Sequence, residues 1–543
     1  MRFPLWISLA ATLGACAPQA AAPPKSPESE APPPKSDWKQ VEPAKQKVAL
    51  VPEPAGIPAP AASCQAFTQH VADSCSKPSS GRDGLAQALS LKDALEKDAA
   101  LSCLETSTDL PAGLVRSLRA ELAPVMCADV LALPFLEPRR PELDRRVEDT
   151  LIALAAAGRL ARLVQKAPEL APPFDKPRFM EFFQSTLKPW IVSQAAAIHE
   201  LALAGARLTP YAKGVVAVEA GLADMRFVAV VRQVPLPKEM SDDAEVKEAY
   251  YAALDEALEP RKARGRDAAL VGLRELANLG VVVDPRVSQA RTLLSQVYSG
   301  RRIDALDGLL LPALPALAAD TTDRKLAALL PTFYTDNLLN EVAVDAPLLR
   351  ALLERGVPAS FAARLDASKL DDTSKGYLTR ALLDRGRCYF RAGDFASSAK
   401  LSAGDKPNPD QALYHALAST LQNGPRDASD LLLGGPILPA GTGQVTDLDH
   451  LAGEKGNANA PLAAFDAAYL RGLVPPQSEP KFWDEQGKRF DAAERALLDP
   501  TQKKRAHDAS AAAKDTAKVL RATHVTPPAA APAKTPAKGA AKP

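Results

Sequence analysis

Between about Ser63 and Thr523 apolar residues recur at helical intervals, with polar residues filling the positions between them. In Pro111–Leu122 the leucines Leu114, Leu118 and Leu122 fall at i, i+4 and i+8. They share one helix face, with Arg116, Arg119 and Glu121 off it. Glycines punctuate the pattern at Gly158, Gly205, Gly280, Gly300, Gly356 and Gly386, where a left-handed helix end carries no steric cost. Prolines such as Pro285 and Pro358 mark places where a helix cannot continue. No run alternates as a strand does. Val281–Val283 and Phe227–Val231 are the only β-rich spots, and both lie between helical patterns. The pattern predicts an all-α body.

Outside that body the pattern changes. Residues 1–15 carry one cation, a short apolar run from Phe3 to Leu13, and then small residues. That is the organisation of an export signal, too short for a membrane-spanning helix of about 20 residues. Residues 16–62 are rich in Pro, Ala, Lys and Glu, and residues 524–543 in Ala, Pro and Lys. Such composition buries little and predicts a disordered tether and tail. At about 3.1 Å per residue the tether reaches roughly 140 Å when fully extended. Within the 543-residue chain, 66 basic residues face 65 acidic ones. No global field therefore steers this protein to nucleic acid. Aromatics are 5% of the chain, which suits helices packed through small and aliphatic side chains.

Leu13-Gly14-Ala15-Cys16 resembles the signal of bacterial lipoproteins, in which cleavage precedes a cysteine that receives the lipid. The resemblance implies cleavage between Ala15 and Cys16 and lipidation, palmitate included, of Cys16. Ala17 and Pro18 follow without an Asp, which in that family implies an outer-membrane address. The body would face the periplasm, with cell-surface exposure left open.

Arg350-Ala351-Leu352-Leu353-Glu354-Arg355-Gly356 recurs, 30 residues on, as Arg380-Ala381-Leu382-Leu383-Asp384-Arg385-Gly386. The second copy runs on through Tyr389, Gly393-Asp394-Phe395, Ser398, Ala399 and Pro407/Pro409. This stretch resembles a degenerate tetratricopeptide repeat, with Arg385 where the family places a large apolar residue. A further pair follows, with Leu413, Leu417, Leu421 and the turn Asn423-Gly424-Pro425. The resemblance implies a helical-hairpin solenoid over 141–523, best defined near 377–432, and partner recognition in a groove. Tyr377, Tyr389, Arg391, Tyr414 and Arg426 are its candidate lining residues.

Residues 63–140 are expected to form a cysteine-bearing helical cap. Cys64, Cys75, Cys103 and Cys127 are disulfide candidates, as an exported chain meets oxidising conditions. Cys64 and Cys75 would lie about 16 Å apart on one helix, beyond bonding reach. If helices near 63–76, 90–106 and 112–131 run up, down and up, Cys64 pairs with Cys103 and Cys75 with Cys127. Cys388 is expected in the core.

Chemistry is sparse. The histidines are isolated, and His199-Glu200 reads as helix surface. Asp447-Leu448-Asp449-His450 with Glu454 reads as a helix entry before a cation site. Ser74-Cys75-Ser76-Lys77 and Ser185-Thr186-Leu187-Lys188 match S-x-x-K without its companion motifs. The aromatic run Phe174–Trp190 has core spacing. No metal, cofactor or catalytic residue is expected. The expected function is a non-catalytic envelope adaptor with a protein or peptide partner; the alternative is a peptidoglycan enzyme or a regulator of one.

Overall fold

In the computed structural model the described residues are 50–68, 75, 80–138, 140–172, 174–298, 302–316, 320–342, 344–404, 406–438, 445–474 and 478–523. The export signal, Cys16, Trp38, His70, Ser74, Lys77, Gly300, Gly441–Gly443 and the tail from 524 lie outside them. The described residues are all-helical, and an isolated bridge between Val281 and Gly356 is the single β feature among them. By contact they fall into two compact units. One draws on Met1–Leu294, Ala319–Ala343 and Arg355–Ala363, the other on Ser295–Ala318, Val344–Glu354 and Arg364–Pro543.

The helices of eight or more residues in the first unit are α1 (Gly81–Ser90), α2 (Ala94–Ser102), α3 (Leu114–Leu122), α4 (Ala128–Leu136), α5 (Arg145–Arg162), α6 (Lys188–Gly205), α7 (Pro210–Arg232), α8 (Ala244–Asn278), α9 (Pro285–Val297) and α10 (Thr322–Leu329). The second unit holds α11 (Ala346–Arg355), α12 (Asp372–Tyr389), α13 (Ala392–Ser402), α14 (Pro409–Leu421), α15 (Thr446–Gly453), α16 (Ala460–Gly472), α17 (Pro480–Ala496) and α18 (Pro500–Thr523). Many starts are capped by a side-chain oxygen: Ser80, Asp93, Asp144, Asp371 and Asn408 each accept an N–H of the first turn.

Two sets of residues depart from the pattern-based expectation. Gly158 and Gly386 are interior to α5 and α12 rather than terminal. Their missing side chains serve close packing: a Cβ on Gly158 would stand 2.9 Å from the Asp129 nitrogen. On α3, Leu114 and Leu118 are buried while Leu122 is exposed, and Arg119, expected off the apolar face, is buried. Two hydrogen bonds of 2.8 Å to Asp98 and one of 3.0 Å to the Phe67 carbonyl compensate its burial. The Glu121 side chain is likewise enclosed, 6% exposed against Arg286. Phe227–Val231, strand-like in composition, belongs to α7, and Pro285 opens α9.

The first unit packs around α5, which is buried on nearly all faces. Beside it α7 and α8 run antiparallel at very short range. Gly214 and Gly221 on α7 meet Gly272 and Gly265 on α8, each pair spaced seven residues apart. A Cβ on Gly221 would fall 2.6 Å from the Ala269 nitrogen and 2.7 Å from the Gly265 oxygen. Backbone atoms cannot yield as a flexible side-chain end can.

Two disulfides join Cys64 to Cys127 and Cys75 to Cys103, with Cα–Cα distances of 5.1 and 5.6 Å. The four cysteines are those expected, but the pairing is the reverse of Cys64–Cys103 and Cys75–Cys127. That pairing assumed three continuous helices. Instead the helix at Cys64 spans only Ala62–Gln65, α2 stops before Cys103, and Cys127 ends a 3-10 turn, Val125–Cys127, between α3 and α4.

Non-reducing peptide mapping should recover Cys64–Cys127 and Cys75–Cys103. By loop-closure entropy the first bond, closing 63 residues, is worth about 4 kcal/mol and the second, closing 28, about 3.5 kcal/mol. Denaturant titration of the single-bond variants measures the order. Gly221→Ala should destabilise by about 1–3 kcal/mol. Gly376→Ala, with nothing within 4 Å of the new methyl, should stabilise by roughly 0.5–1 kcal/mol.

Candidate interaction surface

The repeat-like stretch folds as two consecutive helix hairpins. Between α12 and α13, Gly386 lies under the Phe395 ring, where an added Cβ would be 2.7 Å from Cε1. Arg385, the departure from the repeat pattern, holds Asp394 with two bonds of 2.7 Å. The two side chains form a fork-to-fork ion pair across the turn. Ser398 donates to the Thr379 carbonyl at 3.1 Å, and His415 on α14 meets the Ala399 carbonyl at 2.9 Å. The helices α12, α13 and α14 thus pack in sequence order.

A 3-10 turn, Ala305–Gly308, and the extended chain that follows it run over this unit's helices. Leu306, Leu309, Leu310 and Leu311 are buried, and Pro312 and Pro315 keep the segment out of helix. Beyond the bond from the Leu309 N–H to the Leu306 carbonyl, its carbonyls find no strand, so side chains serve them. Arg387 on α12 donates to Leu306 at 3.1 Å and Leu309 at 3.3 Å, and Arg380 to Pro312 at 3.0 Å. Tyr469 on α16 donates to Ala305 at 2.7 Å, and Gln502 on α18 to Leu311 at 3.1 Å. Arg350 on α11 donates to Pro315. In the opposite sense, the Leu310 N–H donates to Asp466 on α16 at 2.8 Å.

The electrostatics follow burial. Desolvation works against the Arg380 cation, but Asp384 and Tyr414 outweigh it and its pKa is raised. Desolvation prevails at Arg387 and lowers its pKa despite Asp384. Desolvation raises Asp466 well above the ordinary carboxylate value, against the Leu310 N–H and Arg387.

The five sequence candidates divide among these features. Tyr389 and Tyr414 are core residues, each 3% exposed, so neither offers a surface to a partner. The Tyr414 hydroxyl accepts from Arg380 at 3.4 Å, and the half-buried Tyr377 ring lies under Arg350 at 5.5 Å. Both tyrosines therefore back the arginines that hold the extended segment. Arg391 pairs with Asp394 at 3.4 Å and Arg426 with Asp430 at 2.7 Å. Those two lie at the hairpin ends, where Ala392 donates to the Arg426 carbonyl. Sequence reasoning missed Arg350, Arg380, Arg387, Asp466, Tyr469 and Gln502. The available signal was Leu309-Leu310-Leu311-Pro312-Ala313-Leu314-Pro315, too apolar for a solvated loop and too proline-rich for a helix.

Elsewhere, Asp447 and Asp449 occupy the first turn of α15, with Asp449 paired to Arg471 and His450 to Glu454 at 3.2 Å. No group of three or more His, Cys, Asp or Glu stands at metal-holding range among the described residues. Ser185 donates to the Glu181 carbonyl on an exposed turn. In the aromatic run Phe182 is buried, Trp190 stacks on Phe227 at 6.1 Å and Phe174 is exposed. Cys388 is buried in α12. Among the described residues no helix is long and apolar enough to cross a membrane. No protein-family model, curated protein or solved structure matches this chain.

A carboxyl with a raised folded-state pKa binds its proton more tightly folded than unfolded. Its stability contribution falls as pH rises through the carboxylate range and stays lost above the folded pKa. Asp466→Asn keeps an oxygen for Leu310 and removes the charge. Its Tm should exceed that of the parent at pH 8 and approach it near pH 4, as thermal melts across that range would record.

Proposed function

We propose that this chain is a non-catalytic, membrane-anchored adaptor of the bacterial envelope. Cys16 carries the lipid at the outer membrane, the body faces the periplasm, and the α12–α14 hairpins act as a tetratricopeptide-like surface for a protein partner. The single observation that carries it is how the second unit holds a 3-10 turn and the extended chain after it. Side-chain donors from four helices receive backbone carbonyls, as a peptide-binding surface must, and here Ala305–Pro315 occupies them. The Leu13–Cys16 motif and the proline-rich stretch behind it support the anchored tether. Two disulfides fit an oxidising compartment. The partner meets the surface at the hairpin ends, where Arg391 and Arg426 stand together.

In-cell crosslinking followed by capture, with labelled-palmitate feeding, tests this. The native chain should incorporate label and bring down one stoichiometric envelope protein. Cys16→Ala should lose the label and the partner, and Arg391→Glu/Arg426→Glu should keep the label and lose most of the partner. Full capture by Cys16→Ala would remove the anchor from the mechanism. Peptidoglycan cleavage by the purified chain would make it an enzyme.

A further inference from the structure

The segment expected as the distal end of a disordered tether is held against the first unit. Residues 51–58 (Val51-Pro52-Glu53-Pro54-Ala55-Gly56-Ile57-Pro58) lie over α5 and α6 as non-helical chain with a turn at Ala55-Gly56. Five of their carbonyls accept from four side chains. Arg159 donates to Val51 at 3.0 Å and also to Pro52. Ser193 reaches Ala55 at 3.1 Å, Gln194 reaches Gly56 at 3.0 Å, and Arg162 reaches Pro58 at 2.9 Å. Prolines have no N–H, so their carbonyls are the polar handle such a chain offers.

The seat belongs to the body, whereas the strap is lightly held. Arg162 is fixed independently by Asp129 at 2.6 and 2.7 Å, and Gln194 also accepts the Val164 N–H at 2.9 Å. Arg159 is 7% exposed, and its side chain contacts Val51, Pro52 and Glu53, all in the strap. In the strap Val51 is buried, while Glu53, Ala55, Gly56 and Pro58 are exposed. Beyond Pro54 and Ala55 the same face continues as a groove of about 660 Å³ along α6, lined by Lys188, Pro189, Val192, Ala196 and Glu200. Val192 there is 58% exposed.

We propose that the α5–α6 face is a binding site for an extended, proline-rich segment of a partner protein, kept closed in cis by residues 51–58. Recognition through carbonyls tolerates many side chains, so a partner chain of this shape meets the same donors. The groove beside Pro54 gives it a place to enter before the strap leaves. The strap stays attached at its far end, because Cys64 is bonded to Cys127. It can therefore open and return. This holds whether or not Cys16 is lipidated.

Gly56 allows a test that leaves the body untouched. Its φ is +87°, and a Cβ there would stand 2.5 Å from the Ser193 hydroxyl. Gly56→Ala should open the strap. A fluorescent peptide with the sequence of residues 48–60 would be titrated into the full-length parent, Gly56→Ala, and Gly56→Ala/Arg159→Ala. Circular dichroism and the intact Cys64–Cys127 bond would verify folding. The peptide should bind Gly56→Ala about tenfold more tightly than the parent, the shift expected of an L-residue forced into left-handed backbone. Arg159→Ala should remove that gain, and a version of the peptide with its prolines replaced by alanine should bind more weakly. Equal binding to parent and Gly56→Ala, no binding to either, or a gain that survives Arg159→Ala would each overturn the proposal.

Discussion

An extended backbone inside an all-helical protein has no sheet to pair with, and this constraint shapes both units. Every carbonyl withdrawn from water must find a donor or cost a few kcal/mol. Here the donors are side chains, mostly arginines. In the first unit Arg159 and Arg162 receive the proline-rich strap. In the second Arg350, Arg380 and Arg387 receive the Leu/Pro segment. The planar guanidinium offers five donors in a fixed fork and keeps its charge when buried. One side chain can thus bridge two carbonyls, or a carbonyl and a carboxylate, as Arg387 does between Leu309 and Asp384.

A buried ionic cluster in the first unit obeys the same requirement. Arg286 contacts Glu121, Asp284 at 3.0 Å and the Tyr211 hydroxyl at 3.2 Å. Desolvation raises Glu121 and Glu219 above the ordinary carboxylate value, in spite of the nearby arginines. Asp284 stays below its ordinary value: burial opposes its charge, but Arg286 and two backbone N–H groups prevail. Asp284 also receives the Arg286 N–H at 2.7 Å, so one carboxylate both caps α9 and anchors the arginine. Breaking such a cluster by removing one charge is costly, whereas a well-packed apolar replacement of the whole often is not. Its value here is geometric, because it ties α3, α7 and the start of α9 to one point.

Much of the fold was legible along the chain. Helical periodicity, the lack of alternation and the capping residues identified an all-α body, because those signals act within a few residues. The Arg380–Phe395 stretch was legible as a hairpin, and Gly386 beneath Phe395 shows why a glycine is needed there. The close α7–α8 contact also left a trace, glycines seven apart on two long helical patterns, but only their mutual facing gives that spacing meaning. Disulfide pairing was not legible. It depended on where helices break around Cys64, Cys103 and Cys127, and a shift of a few residues changes which sulfurs meet.

By itself the sequence determined the all-helical class, the set of four bonded cysteines and the proline-bearing segments that could not be helical. Those follow from local sterics, periodicity and the absence of a proline N–H. Only the tertiary structure decided which charged residues are buried, which tyrosines are core, and where the extended segments rest. Arg119, Arg159, Arg387 and Asp466 look like solvated charges in sequence. Their partners are a carboxylate or a backbone group 21 to 156 positions away, brought within reach only when the helices pack.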